Sequence, residues 1–260
     1  MTYSTVKFTK KDQIAIVTLS DPDTRNAITD PVLLEEVKSV FTAIQDDPEV
    51  SVCILTGEGK GFSSGGNVKD MLHRKKMFAG APLDVQNGYR KGIHSLSKLL
   101  YNIEIPIIAA VNGAAAGAGF DLALLCDIRV GSERASFCSS FVNLAVIPGD
   151  GGAWLLRKTV GAQRAAELVL TGKTVRAEEA LEMGLLLKIV EHDKLIEEAL
   201  AIAKPISEKS RETLVVAKRL LRSTDSMSYE DHLNLCSANQ AMFHHAPEHQ
   251  AALEKFFEKK

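Results

Sequence analysis

At 260 residues, with 45% hydrophobic and 25% charged side chains, the chain is large enough to bury a sizeable core and has an ordinary globular composition. A formal net charge of −2 supplies no general attraction for nucleic acid or an anionic membrane, so neither is expected as a partner. Cys53, Cys126, Cys138 and Cys236 show no C-x-x-C spacing, the first ten residues lack a signal-peptide apolar region, and no apolar run is of membrane-spanning length, which together predict a reduced, cytoplasmic protein.

In chain order, residues 13–19 (QIAIVTL) alternate apolar and polar positions and predict a strand. DPDTRNAI then reads as a turn and helix entry, and residues 32–44 have helical periodicity. Residues 50–55 (VSVCIL) predict a second strand that runs into the glycine-rich TGEGKGFSSGGN. Residues 68–87 are polar, Met-rich and without period, so a mobile loop is predicted there, followed by an amphipathic helix over 88–100. Residues 107–111 form a short apolar strand, Asn112-Gly113 a turn, and a helix of small residues starts near 116–119 and ends at Leu125, before a strand at 127–130. Strand, glycine-rich turn, helix and strand therefore occur twice, a pattern that suits an α/β spiral better than an open sheet. After VIPGDGG helices dominate, over 162–170, 177–183, 194–203, 211–222, 229–244 and 247–257, with one more strand at 185–191. One continuous unit is expected, with a core over 1–206 and a helical region over 207–260 that packs on the core or on a neighbouring subunit.

Several familiar motifs fail. Gly117-x-Gly119 is followed by Leu122, and Gly57-x-Gly59 by Phe62, where a dinucleotide fingerprint needs a third glycine. No Walker loop is present, and His244, His245 and His249 share a helical tail that reads as a solvated face rather than a metal site. Gly61-Phe62-Ser63-Ser64-Gly65 matches G-x-S-x-G formally, but a loop separates it from the preceding strand, contrary to a nucleophile elbow. Asp150 stands between glycines ahead of Trp154 and has two readings, a helix N-cap or a proton-transfer group held at a rigid turn.

What remains is two glycine-rich turns, FSSGGN and NGAAAGAGFD, each ending at a helix N-terminus. Backbone N–H groups there have no intrahelical partner and the helix dipole favours negative charge, so the two turns brought face to face would hold a thioester oxygen as it becomes an enolate.

FSSGGNVKDM, IPIIAAVNGAAAGAGFDLALLCDIRV, VIPGDGGAWLL and AAELVLTGKTVRAEEALEMGLLLKIV, in that order, resemble the enoyl-CoA hydratase/isomerase (crotonase) family over nearly the whole chain. The resemblance implies a crotonase-like spiral of ββα repeats with a C-terminal helical region, assembled as a trimer or dimer of trimers. It also implies acyl-CoA thioester substrates and no metal or redox cofactor, coenzyme A being part of the substrate. By motif position the oxyanion hole is the N–H groups of Gly66 and Ala118, and Ser64, Gly65, Asn67, Gly117, Phe141 and His94 fall where substrate would be contacted.

The acid/base positions depart from the hydratase pattern. Asp121 stands where hydratases place one Glu, and Phe141 where they place the second, while Asp150 replaces a small residue. Asp121 and Asp150 are therefore the catalytic candidates. Relatives that use an Asp near position 150 as a nucleophile leave a second reading open, an acyl-CoA dehalogenase or a carbon–carbon bond hydrolase. His94, twelve residues before Pro106, matches the dehalogenase spacing, whereas Ala118 stands where the hydrolase has His. A third reading is a CoA-thioester-binding homologue without activity. Asp127 is expected to be structural, bonding nearby backbone.

Overall fold

The computed structural model describes residues 3–258. Three successive strand pairs build the core: β3 (Val52–Gly57) and β4 (Gly61–Ser63), β5 (Ile107–Val111) and β6 (Ala114–Ala116), β7 (Ile128–Ser132) and β8 (Ser136–Cys138). In each pair the first strand joins one sheet and the second strand another. The larger sheet runs β1-β2-β3-β5-β7-β10 and the smaller β4-β6-β8-β9, with β1 (Val6–Lys11), β2 (Ile14–Leu19), β9 (Thr174–Arg176) and β10 (Lys188–Val190). Neighbours are parallel except β1 with β2 and β8 with β9. This is the spiral of ββα repeats that the sequence pattern predicts.

The corners of the first two pairs explain their glycines. A Cβ on Gly57 would collide with the Phe62 carbonyl, and one on Gly113 with the Lys60 carbonyl. Buried Asn112 ties the first two corners together, accepting from Gly57 N–H (3.3 Å) and donating to the Gly59 and Gly61 carbonyls.

β3 and β5 are apolar on both faces because both faces are covered. α1 (Pro31–Asp46), capped by Asp30, buries Leu33, Val37, Phe41 and Ile44 in the main core. α9 (Leu195–Ser207) lays Leu195, Ala199 and Ala203 over Ile54, Ile108 and Val130 on the opposite face.

Three expectations change. β1 is an additional strand: only Val6 of its residues is buried, so it shows no apolar alternation and is held as an edge by backbone pairing. The predicted loop over 68–87 contains α2 (Val68–Leu72), a 3₁₀ turn (Lys76–Phe78) and the start of α3 (Pro82–Lys91). Neither α2 nor α3 buries a residue, so no apolar stripe announces them; caps and Pro82 start them instead. The predicted helix over 88–100 is broken at Gly92, beyond which α4 (Ile93–Asn102) begins. The break is abrupt because Gly92 packs against the Gly88 carbonyl where a Cβ would not fit.

The remaining helices are α5 (Ala118–Leu125), α6 (Gly152–Val160), α7 (Ala162–Thr171), α8 (Ala177–Glu182), α10 (Arg211–Ser223), α11 (Tyr229–Phe243) and α12 (Pro247–Glu258). α10 is anchored to the core: Arg211 donates to the Gln45 and Val50 carbonyls, and buried Lys218 reaches Asp127 (2.6 Å) and the Ile105 carbonyl (2.7 Å). Asp127 also accepts from Ile107 N–H (2.8 Å) and Arg222, so it is structural as the sequence suggested. α11 and α12 bury no residue, and Tyr229, Met242, Phe256 and Phe257 are exposed along them.

Candidate active site

The two glycine turns meet at the first turn of α5. Gly65, at φ +75°, lies so close to the Ala116 carbonyl and the Ala118 nitrogen that a Cβ would collide with both. Around it the backbone donors are taken: Ser64 N–H by the Arg25 carbonyl (2.9 Å), Gly65 N–H by Ser63 Oγ (3.2 Å), and Asn67 N–H by Thr29 Oγ1 (3.0 Å). Among the described residues, the Gly66 N–H between them has no intramolecular acceptor. Gly117 donates to the Cys138 carbonyl at 2.9 Å, while Ala118, as the first residue of α5, has no intrahelical acceptor for its N–H. Two unpaired N–H groups thus stand on adjoining backbone segments, at the positive end of a helix.

The side chains beside these turns divide. Ser64 Oγ donates to the Thr24 carbonyl (3.0 Å), and Asn67 Oδ1 caps α2 by accepting from Lys69 and Asp70 N–H, so both side chains hold the loop. Ser63, of the formal G-x-S-x-G match, is buried and donates to the Asn26 carbonyl at 2.7 Å, the geometry of a structural hydroxyl. The Phe141 ring packs beside Gly117 and forms an apolar wall there.

Asp121 and Asp150 are 4% and 7% exposed and line one narrow cavity with Ile93, Leu96, Ser97, Ala118, Leu122 and Leu125. Asp121 accepts the Gly152 N–H, the first of α6, with Gly152 packed so closely that a Cβ would fall on the carboxyl. Its other oxygen, Oδ2, has no partner, and neither has Asp150 Oδ1. The helix-cap reading of Asp150 is overturned: Gly151, at φ +97°, is the N-cap of α6, and no side chain bonds there as a cap. Asp121, thirty-odd residues away in sequence, serves that helix end instead.

Burial drives both carboxyls upward. Asp121 is pushed well above its ordinary range by desolvation and then by the Asp150 charge, with the Gly152 bond opposing. Asp150 rises to about 6, again by desolvation, with His94 opposing. The Asp150 charge raises Asp121 and not the reverse, so Asp150 gives up its proton before Asp121 does, and the singly ionised pair offers one acceptor and one donor at the same cavity.

His94 does not line that cavity. Its Nε2 donates to the Gly149 carbonyl at 2.7 Å and its ring lies against Tyr89, centroids 5.8 Å apart. Ser97 Oγ donates to the Asp150 carbonyl at 3.3 Å. Ser97 and Gly152 carry no motif, and only the doubled glycine after Asp150 hints at a close approach. A larger hollow of about 350 Å³ between β2, β3 and the start of α9 contains none of these residues. Among the described residues no group of three or more His, Cys, Asp or Glu gathers as a metal site; His244 and His249 pair on the exposed tail at 3.2 Å.

Unpaired N–H groups beside two buried carboxyls with unbonded oxygens form an arrangement that can meet an oxygen anion and exchange protons. The sequence profile of the enoyl-CoA hydratase/isomerase family matches residues 9–260. A probable enoyl-CoA hydratase of Mycobacterium bovis is 32% identical over 233 residues, covering 90% of this chain and 87% of that protein. The 2,3-dehydroadipyl-CoA hydratase of Escherichia coli is 32% identical over 221 residues, 85% of this chain and 83% of that protein. The crystal structure of an enoyl-CoA hydratase from Bacillus anthracis superimposes with a TM-score of 0.92 at 28% identity, covering 99% of this chain and 97% of that one. The chain belongs to the enoyl-CoA hydratase/isomerase family of the crotonase superfamily.

Proposed function

We propose that the protein stabilises the enolate of an acyl-CoA thioester with the Gly66 and Ala118 N–H groups while Asp150 and Asp121 transfer protons at the acyl chain. The observation that carries the reading is that two carboxyl oxygens without partners, on separate elements, face one cavity beside Ala118. Asp150 takes a proton from an acidified carbon or from water and Asp121 delivers one to the enolate; the pair's total charge is unchanged, and a proton passes from Asp150 back to Asp121 before the next turnover. Each oxyanion donor is worth about 3–4 kcal/mol in such chemistry. Protein groups thus supply both the oxyanion stabilisation and the proton transfer, and coenzyme A enters as part of the substrate rather than as a cofactor.

Nucleophilic attack by Asp150 on carbon, as in a dehalogenase or carbon–carbon hydrolase, is less well served. His94 Nε2 is engaged by the Gly149 carbonyl, so that nitrogen is not free to activate water against an aspartyl ester, and Ala118 offers no imidazole. Inactivity is argued against by two buried carboxyls whose unbonded oxygens face one cavity. We further propose a trimer or dimer of trimers, supported by the exposed apolar side chains of α11 and α12, and a cytoplasmic location, supported by bacterial relatives. No helix among the described residues is long and apolar enough to cross a membrane.

The test is a panel of crotonyl-, 3-enoyl-, dienoyl- and aroyl-CoA followed by product mass. Turnover of at least one thioester is expected, with losses of about 10²–10⁴-fold in Asp150→Asn and in Asp121→Asn. Turnover that survives in both variants refutes the assignment.

A further inference from the structure

We propose that α4 carries a two-pronged clamp, His94 and Ser97, that fixes where Asp150 stands relative to Asp121. The proposal rests on the assignment of those two carboxyls made above.

The turn from Gly149 to Gly152 contains three glycines and so lacks side chains with which to fix itself. Gly151 is extreme in this respect: even a Cβ built there would meet nothing within 4 Å. Asp150 contributes little to its own orientation, because its carboxyl Oδ1 is unbonded. What holds the turn is hydrogen bonding from α4. His94 and Ser97 are three residues apart, on one helix face. They donate to the consecutive carbonyls of Gly149 (2.7 Å) and Asp150 (3.3 Å), on either side of the Asp150 Cα. Two residues further on, the Gly152 N–H holds Asp121. The separation of the two carboxyls is therefore decided by how α4 seats this one turn. Tyr89, at the end of α3, covers the outer side, its ring near Gly149 and His94.

His94 and Ser97 act through Asp150 and are positioning residues. This reassigns His94, whose sequence position suggested a substrate contact. The titratable groups facing Asp150 are His94 from α4, Tyr89 from α3 and Asp121 from α5, so a change at His94 also reaches Asp150 electrostatically.

His94→Leu, His94→Gln and Ser97→Ala separate hydrogen bond from charge. Glutamine reaches about as far as the imidazole and keeps an N–H donor while never carrying a charge. With a thioester that the wild type turns over, His94→Leu is expected to lower kcat by about 10–100-fold with KM nearly unchanged, the consequence of a displacement of about 1 Å. His94→Gln restores most of that loss, and Ser97→Ala gives a smaller fall. Carboxyl ¹³C titration of the unliganded protein supplies a readout independent of turnover. In His94→Leu the coupling between the Asp121 and Asp150 titrations weakens, and in His94→Gln it persists.

A His94→Gln variant as inactive as His94→Leu overturns the clamp, since the ring itself then does the chemistry. So does a loss confined to KM, or a carboxyl coupling that His94→Leu leaves intact. Should His94→Leu fail to fold, Ser97→Ala gives the same two readouts with the imidazole present. If the wild type turns over no thioester, the proposed function fails while the titration still decides the clamp.

Discussion

Replacing Asp150 by asparagine is expected to make the protein more stable, by an amount that grows with pH. The carboxyl rises from its ordinary 3.8 to about 6 in the fold, chiefly because burial disfavours its charge. Between those two values the folded protein keeps a proton that the unfolded chain has lost, so stability falls as pH rises through the window. At about 1.4 kcal/mol per tenfold change in proton affinity, the loss amounts to about 3 kcal/mol above pH 6. Asparagine is neutral at every pH and similar in shape, so it avoids this cost. Urea unfolding of both proteins at pH 4 and pH 8 is the assay: near-equal stabilities are expected at pH 4, and the variant should lead by about 2–3 kcal/mol at pH 8. A constant difference at both values, or a variant less stable at pH 8, would refute the reasoning, because the carboxylate would then be held by bonds rather than stranded by burial.

Two further outcomes follow from the same geometry. Gly152→Ala puts a methyl on the Asp121 carboxyl and should lower kcat by about 100-fold, whereas Gly151→Ala, which meets no neighbour but is strained at φ +97°, should chiefly cost about 1–2 kcal/mol of stability; steady-state kinetics and urea melts on the pair separate the two effects. Lys218→Met removes a buried cation from Asp127 and the Ile105 carbonyl but leaves Arg222 on that carboxylate, so a moderate destabilisation of about 1–2 kcal/mol is expected by the same melts.

Motif position makes Asp121 a candidate, but that it shares a cavity with Asp150 and is desolvated there depends on burial by residues from α4 and α5. Phe141 shows the same division. Its lack of a proton is visible in the residue type, while its role as a wall follows from the ring packing beside Gly117. The 68–87 region reads as a loop because α2 and α3 have no buried stripe, and its helices depend on local caps such as Asn67, a cap whose motif position suggests a substrate contact.

The features that the sequence alone determined are those carried by the backbone of single residues or by a local period. Glycines mark the corners where strands change sheet and where bare N–H groups are presented, and apolar runs mark the strands covered on both faces. The features that only the tertiary structure decided are partnerships between distant residues: Gly152 with Asp121, and His94 with a carbonyl 55 residues away. Asp150 itself belongs to both classes. Its presence in a glycine turn is written in the sequence, but whether it caps a helix or faces a cavity depended on the φ of Gly151 and on the turn's seat against α4. Side-chain chemistry is local, whereas desolvation and hydrogen-bond geometry are set by whatever the fold brings alongside.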